Sequence, residues 1–418
     1  KMAWMLPVLI IPVFGTLMYI FVNLQPGTKI MCRRLALIDK QLHESEEYNQ
    51  NIYDELEGVS HGENGLSRYL YNAGDFPAYK DNGIMFFPLG ENKFEEMQKQ
   101  LKAAKKFIFM EYFIVTDSYM WRTILDILKQ KAAEGVEVRF MYDGMCSLML
   151  LPYGYYKELE KFGIQSRPFS QIRPVLSTVQ NNRDHRKILV IDGETVFTGG
   201  INLADEYIDR LDRFGHWKDT AVMIKGDAVK SFTYMFLKMW QVAGKKSSIE
   251  QDELKKYILN VSREQCMREF DRDNELIRSG GYVIPYGDSP FSSERIGKRV
   301  YVDILNRATK YVHIMTPYLI LDDEMIAALC YCAKRGVETI IIMPHIPDKV
   351  YAYLLARTYY LELIEKGVHI YEYTPGFVHA KEFISDDVRA TVGTVNLDFR
   401  SMYLHFECGA YIYKNEVI

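Results

Sequence analysis

Two stretches of this chain carry the same unusual order of side chains. The first is Asn182-Arg-Asp-His185-Arg-Lys187-Ile-Leu-Val-Ile-Asp192-Gly193, followed by Gly199, Gly200 and Asn202. The second is His379-Ala-Lys381-Glu-Phe-Ile-Ser-Asp386, followed by Gly393, Thr394 and Asn396. Both read His-x-Lys, four residues, Asp, then a small pair and an Asn. One copy would be weak, because nine histidines give such a pattern some chance to arise alone. Two copies sharing the downstream Asn point to a unit built twice.

The local structure follows from the same letters. His185-x-Lys187 leads into Ile-Leu-Val-Ile, a β-branched run that reads as a strand. Positions i and i+2 of a strand share a face, so His185 and Lys187 should emerge together, as should His379 and Lys381. The Asp follows its His by seven positions and takes the opposite parity. Asp192-Gly193 is moreover a hairpin-turn signal. Asp192 and Asp386 are therefore expected to hold turns rather than touch substrate.

The flanking elements repeat as well. Strand Ile84–Phe87, helix Lys93–Lys105, strand Phe107–Val115, helix Trp121–Ala133 and strand Val136–Tyr142 precede the first motif. Strand Tyr282–Pro285, helix Lys298–Thr309, strand Tyr311–Ile320, helix Glu324–Arg335 and strand Val337–Met343 precede the second. Gly135 and Gly336 stop the corresponding helices. Alternating strands and helices predict an α/β fold of two tandem units, each a sheet covered by helices. The expected halves are residues 76–245 and 281–418, joined by a charged connector over 246–280.

The paired motif resembles the phospholipase D superfamily and, within it, the bacterial cardiolipin synthases. The runs that carry the likeness are 181–187, Gly199-Gly-Ile-Asn-Leu-Ala-Asp-Glu-Tyr207, His216-Trp-Lys-Asp-Thr220, Thr316-Pro-Tyr-Leu319, Pro375-Gly-Phe-Val-His-Ala-Lys381 and Gly393-Thr-Val-Asn-Leu-Asp-Phe-Arg-Ser401. They cover nearly the whole chain. Glu382 departs from the family, which usually has a small hydroxyl residue there; it should face away from Lys381. The resemblance implies two motifs facing each other in one active site, and it includes Asp192 and Asp386 in the catalytic motif. It also implies that the family's pattern continues at both ends, including a membrane helix upstream.

Two histidines, two lysines and two asparagines suit phosphodiester chemistry. Lys187, Lys381, Asn202 and Asn396 would offset phosphate charge, most of all in the transition state. One imidazole can attack phosphorus and form a phosphohistidine, while the other serves as acid and then base. No metal or other cofactor is required, and no ligand cluster with metal spacing appears. Each imidazole needs a partner on its second nitrogen. Asp219 and Glu407, both set before strand-like runs after their motifs, are the candidates, and superfamily members carry an acid at the corresponding place. The expected reaction makes cardiolipin and glycerol from two phosphatidylglycerol molecules. A phospholipase D hydrolase or a phosphatidylserine synthase would use the same site.

Composition bounds the setting. The 418 residues suffice for two domains, with 48% hydrophobic residues and 30 Tyr. A formal charge of −4 gives no bulk attraction to nucleic acid, so none is expected as partner. Six scattered cysteines show no disulfide framework, which suits a reducing compartment. Met2 to Val22 is uncharged and long enough to span a bilayer, so residues 1–27 are expected to form a transmembrane segment. Lys29, Arg33 and Arg34 after it place the catalytic part in the cytoplasm of a bacterial cell by the positive-inside rule. Residues 28–75, polar and charged, read as a solvated juxtamembrane segment with some helix. The apolar and aromatic run 145–156 reads as core or as a lipid-contacting lip.

Overall fold

The computed structural model describes residues 5–24, 26–43, 50–170, 181–259 and 280–418. Two mixed sheets form its centre. The first runs in the order Gly83–Phe87, Ala221–Lys225, Thr195–Gly199, Ile188–Ile191, Phe107–Tyr112, Glu137–Asp143, Gln165–Phe169. The second repeats that order as Tyr282–Asp288, Glu407–Tyr413, Arg389–Gly393, Glu382–Ser385, Tyr311–Met315, Glu338–Pro344, His369–Tyr373. In each sheet the strand after the His-x-Lys pair lies antiparallel between its hairpin partner and a strand that begins a parallel set.

Local chemistry sets the covering helices. Ser118 caps helix Tyr119–Ala133 by accepting from the Trp121 amide, and Asp322 caps helix Asp323–Lys334 by accepting from Met325. Gly135 and Gly336 end them at φ 89° and 87°, a conformation that Cβ-bearing residues resist. The two halves share one core. Phe109, Val190 and Val196 of the first sheet meet Val392, Cys408 and Ile412 of the second, together with helix Val229–Ala243.

The described residues of segment 28–75 do not form a solvated spacer. Helix Pro26–His43 buries Leu35 and Ile38 in that shared core. Helices Gln50–Val59 and His61–Gly74 bury Leu56, Leu66 and Leu70 against the second half. Glu63 pairs with Arg389 at 2.6 Å, and Tyr79–Lys80 adds an edge strand beside Tyr282–Asp288. The segment's many Glu residues hid this, because its apolar positions become a face only on the second half. Of the connector, residues 260–279 lie outside the described residues; Ile249, Leu254, Tyr257 and Ile258 before them are buried.

The expected spanning helix is corrected. The apolar run forms two helices, Met5–Ile10 and Pro12–Leu24. Pro12 cannot donate to the turn before it, and Gly15 lets the first helix fold back. A Cβ on Gly15 would lie 2.4 Å from the Pro7 carbonyl oxygen. Among the described residues no helix is long and apolar enough to cross a membrane.

Candidate active site

His185 and Lys187 stand just before strand Ile188–Ile191, and His379 and Lys381 just before Glu382–Ser385. They occupy lead-ins outside the sheet ladder, and each lead-in is tied to the opposite half. The His185 amide donates to the Phe406 carbonyl at 2.9 Å, and the His379 amide to that of Lys218 at 2.7 Å. Strand Gly376–Val378 pairs in parallel with His216–Lys218 for the same reason. Backbone pairing between the halves thus brings the two motifs together. Both histidines, with Asn202 and Asn396, line one cavity of about 580 Å³.

The acids are exchanged between the halves. His185 Nδ1 lies 2.9 Å from Glu407 Oε2, and His379 Nδ1 lies 2.6 Å from Asp219 Oδ2. A carboxylate oxygen only accepts, so each Nδ1 carries the hydrogen and each Nε2 keeps its lone pair. Glu407 also accepts from the hydroxyls of Thr394 at 2.5 Å and Ser401 at 2.7 Å. Asp219 accepts from the Thr220 amide at 2.8 Å. Gly200 is required beside it, since a Cβ there would lie 2.0 Å from Asp219 Oδ1.

Burial dominates the electrostatics. It drives His185 down to about 3, against the pull of Glu407, and drives His379 well below its usual range. Asp219 is pushed up to about 6 by burial, whereas Glu407, equally buried, is held low by His185 and its hydrogen bonds. Lys187 and Lys381 fall to about 8 and about 7, burial again the first cause. Each lysine ammonium donates to the carbonyl of its own histidine. An entering phosphodiester would favour the charged form of both histidines and both lysines.

Asp192 and Asp386 do not line the cavity. Asp192, at φ 56°, accepts from the amides of Lys105, Lys106 and Phe107 at 2.7–2.8 Å. Asp386, at φ 58°, accepts from those of Thr309, Lys310 and Tyr311 at 2.8–3.0 Å. Each carboxylate ties its hairpin to the end of the preceding helix. Asn202 is oriented by two bonds: its Oδ1 accepts from Ile114 at 3.0 Å and its Nδ2 donates to the Tyr207 hydroxyl at 2.8 Å. Asn396 Oδ1 has no hydrogen-bond partner among the described residues. Glu382 is buried, which raises its carboxyl.

Several cavity residues escaped the sequence reading. Arg183 lines the cavity and pairs with Asp143 at 3.1 Å. Tyr207 and Trp217 flank the His379 ring at 5.4 and 5.5 Å, and Phe113 lies edge-on to His185 at 4.9 Å. His405 stands 5.5 Å from His185 and 3.5 Å from Glu407. Its place two residues before the acid was its only signal. His185, His405 and Glu407 offer three ligand atoms within 4.8 Å of one another. The Lys187 ammonium acting on His185 disfavours a second cation there.

A family model described as "Cardiolipin synthase, PLD-like domain" matches residues 97–240 and 301–418, most of the chain and both motifs. The chain belongs to this PLD-like cardiolipin synthase family. Its enzyme class is accordingly that of the phosphatidyltransferases. A Bacillus cereus protein named cardiolipin synthase 2 is 34% identical over 422 residues, covering all of this chain and 78% of the relative. A cardiolipin synthase of Halalkalibacterium halodurans is 31% identical, covering all of this chain and 80% of the relative. An uncharacterized protein of Streptococcus mutans is 49% identical, with 100% and 87% covered. The fold is also similar to a crystal structure of phosphatidylserine synthase from Haemophilus influenzae, at TM-score 0.59 and 15% identity, covering 84% of this chain and 86% of that one. That likeness concerns the fold alone. For this member of the PLD-like family, the paired histidines and exchanged acids give the shared fold its chemical content.

Proposed function

We propose that the chain joins two phosphatidylglycerol molecules into cardiolipin and glycerol through a phosphohistidine, at a membrane surface. The observation that carries this is the pair of buried histidines in one cavity, each with Nδ1 within hydrogen-bond distance of an acid, which leaves Nε2 as the nitrogen for attack. The Nε2 of one histidine attacks phosphorus, and the bond from phosphorus to the headgroup oxygen breaks. The opposite imidazole, charged once the phosphate has entered, gives its proton to the leaving glycerol. It then takes the proton of the second lipid's headgroup hydroxyl, which attacks phosphorus and releases the histidine. Phosphodiester is exchanged for phosphodiester, so no energy source is consumed.

Transfer rather than hydrolysis needs water kept from the intermediate. Phe113, Ile114, Leu150, Phe214, Trp217 and Ile320 supply an apolar wall. With headgroup-labelled phosphatidylglycerol in vesicles, the expected products are one glycerol per cardiolipin and little phosphatidic acid. Phosphatidic acid as the main product would make the protein a hydrolase and overturn this reading.

A further inference from the structure

Helix Val350–Glu365 has its polarity reversed. Its buried side is the narrow one of Ala352, Ala356 and Leu363. On a helix of 3.6 residues per turn the opposite side carries Val350, Leu354 and Leu361, which a solvated helix would make polar. These three are 64%, 58% and 69% exposed, and Leu355 and Ile364 beside them are exposed too. A second segment adds Met149, Leu150 and Tyr153, the last almost wholly exposed, and Phe399 adds a third. Large apolar side chains in such number are uncommon on a freely solvated face.

Their position gives the face a meaning. Leu150, Tyr351 and Phe399 are exposed and at the same time line the cavity of His185 and His379, so they stand at its edge. Three stretches distant in sequence therefore meet around one opening. Lys349 on the cavity wall, paired with Asp348 at 2.7 Å, and exposed Arg357 and Arg400 put basic groups beside the apolar ones, with exposed Glu362 and Glu365 towards the helix end. Exposed tyrosines beside apolar and basic residues suit the interface of an anionic bilayer. A second protein seated here would instead cover the cavity's edge.

We propose that helix Val350–Glu365, with Met149–Tyr153 and Phe399, is a docking face that seats the cavity mouth on one leaflet of an anionic bilayer. It rests on the phosphatidyl-transfer reading for the leaflet's role as substrate store. The helix would lie in the headgroup plane, and a lipid would enter headgroup first with its acyl chains left in the leaflet. The apolar helices over residues 5–24 add affinity, whereas this face sets orientation.

The test uses the full chain and the variant Val350→Glu/Leu354→Glu/Leu361→Glu, whose sites line no part of the cavity. In hydrogen exchange, vesicles of phosphatidylethanolamine and phosphatidylglycerol should protect peptides over 350–365 and 149–153 but not helix Asp323–Lys334. The variant should still sediment with vesicles through residues 5–24, lose turnover of vesicle lipid by about tenfold or more, and keep turnover of monomeric short-chain phosphatidylglycerol. Equal vesicle turnover, or no protection over 350–365, overturns the proposal. So does protection that grows with protein concentration without vesicles alongside a dimer in sedimentation, which would assign the face to a second copy. Vesicle protection without any lipid turnover would support the docking face while removing the transferase reading.

Discussion

Replacing Glu407 by Gln keeps the shape beside His185 but removes the charge that fixes its Nδ1 hydrogen. The amide can then present a donor to the ring and turn the wrong nitrogen toward phosphorus. Loss of tautomer control in a comparable histidine–acid pair costs about 10⁴-fold in kcat. We therefore expect Glu407→Gln and Asp219→Asn each to lose about a thousandfold or more. His185→Ala and His379→Ala should abolish turnover. Circular dichroism should show folded proteins in all four cases; near-normal kcat in Glu407→Gln would remove the acid from the mechanism.

The buried lysines work against stability. Lys381 has a folded-state pKa of about 7 and Lys187 of about 8, both below the ordinary 10.5. Between those values and 10.5 the unfolded chain holds more protons than the folded one, so their contribution to stability rises with pH across that window. Lys381→Met should be inactive, melt higher than the parent near neutral pH, and lose part of that rise. Thermal melts from pH 7 to 10 check this. A variant that melts lower than the parent at pH 7 would show that the lysine is charged and well paired.

The hairpins after the motifs separate chemistry from scaffolding. Asp192 and Asp386 each accept three backbone amides at a helix-to-strand junction. Asp192→Asn keeps one carbonyl oxygen there and loses the charge, so a cost of about 1.5–3 kcal/mol is expected. Activity per folded molecule should stay near that of the parent. Chemical denaturation with turnover measured on the folded fraction tests both statements, and a normally stable but inactive Asp192→Asn would place the carboxylate in the mechanism.

Parity and the Asp-Gly pair made those turns legible in the letters, and matched helix stops made the tandem α/β unit legible too. The acids were legible only as candidates. Nothing local says that Asp219 serves the second histidine and Glu407 the first, because the exchange depends on how His216–Lys218 and Gly376–Val378 pair between halves. The helices of 26–74 were misread for a similar reason: Leu35, Ile38 and Leu66 find their partners far away in the chain. The uncharged length of Met2 to Val22 suggested a span, yet Pro12 and Gly15 within it are where the apolar run doubles back.

Exchange of acids makes the duplicated unit incomplete by itself. The first half lacks a carboxylate for His185 and the second lacks one for His379, while strand Tyr79–Lys80 and helices Gln50–Val59 and His61–Gly74 bind the start of the chain to its far end. Both histidines line a cavity formed within a single chain, so no second subunit is needed to finish it. An equimolar mixture of His185→Ala and His379→Ala proteins, unfolded together and refolded, therefore tests the whole arrangement. If each chain closes its own site, every site in the mixture lacks one histidine, and turnover should stay at the level of the separate variants. If halves exchange between chains, some sites regain both histidines, and measurable turnover returns. Recovered turnover would show the active form to be a swapped dimer, and absence of recovery in a mixture that has refolded to the parent's thermal midpoint would confine the reaction to one chain.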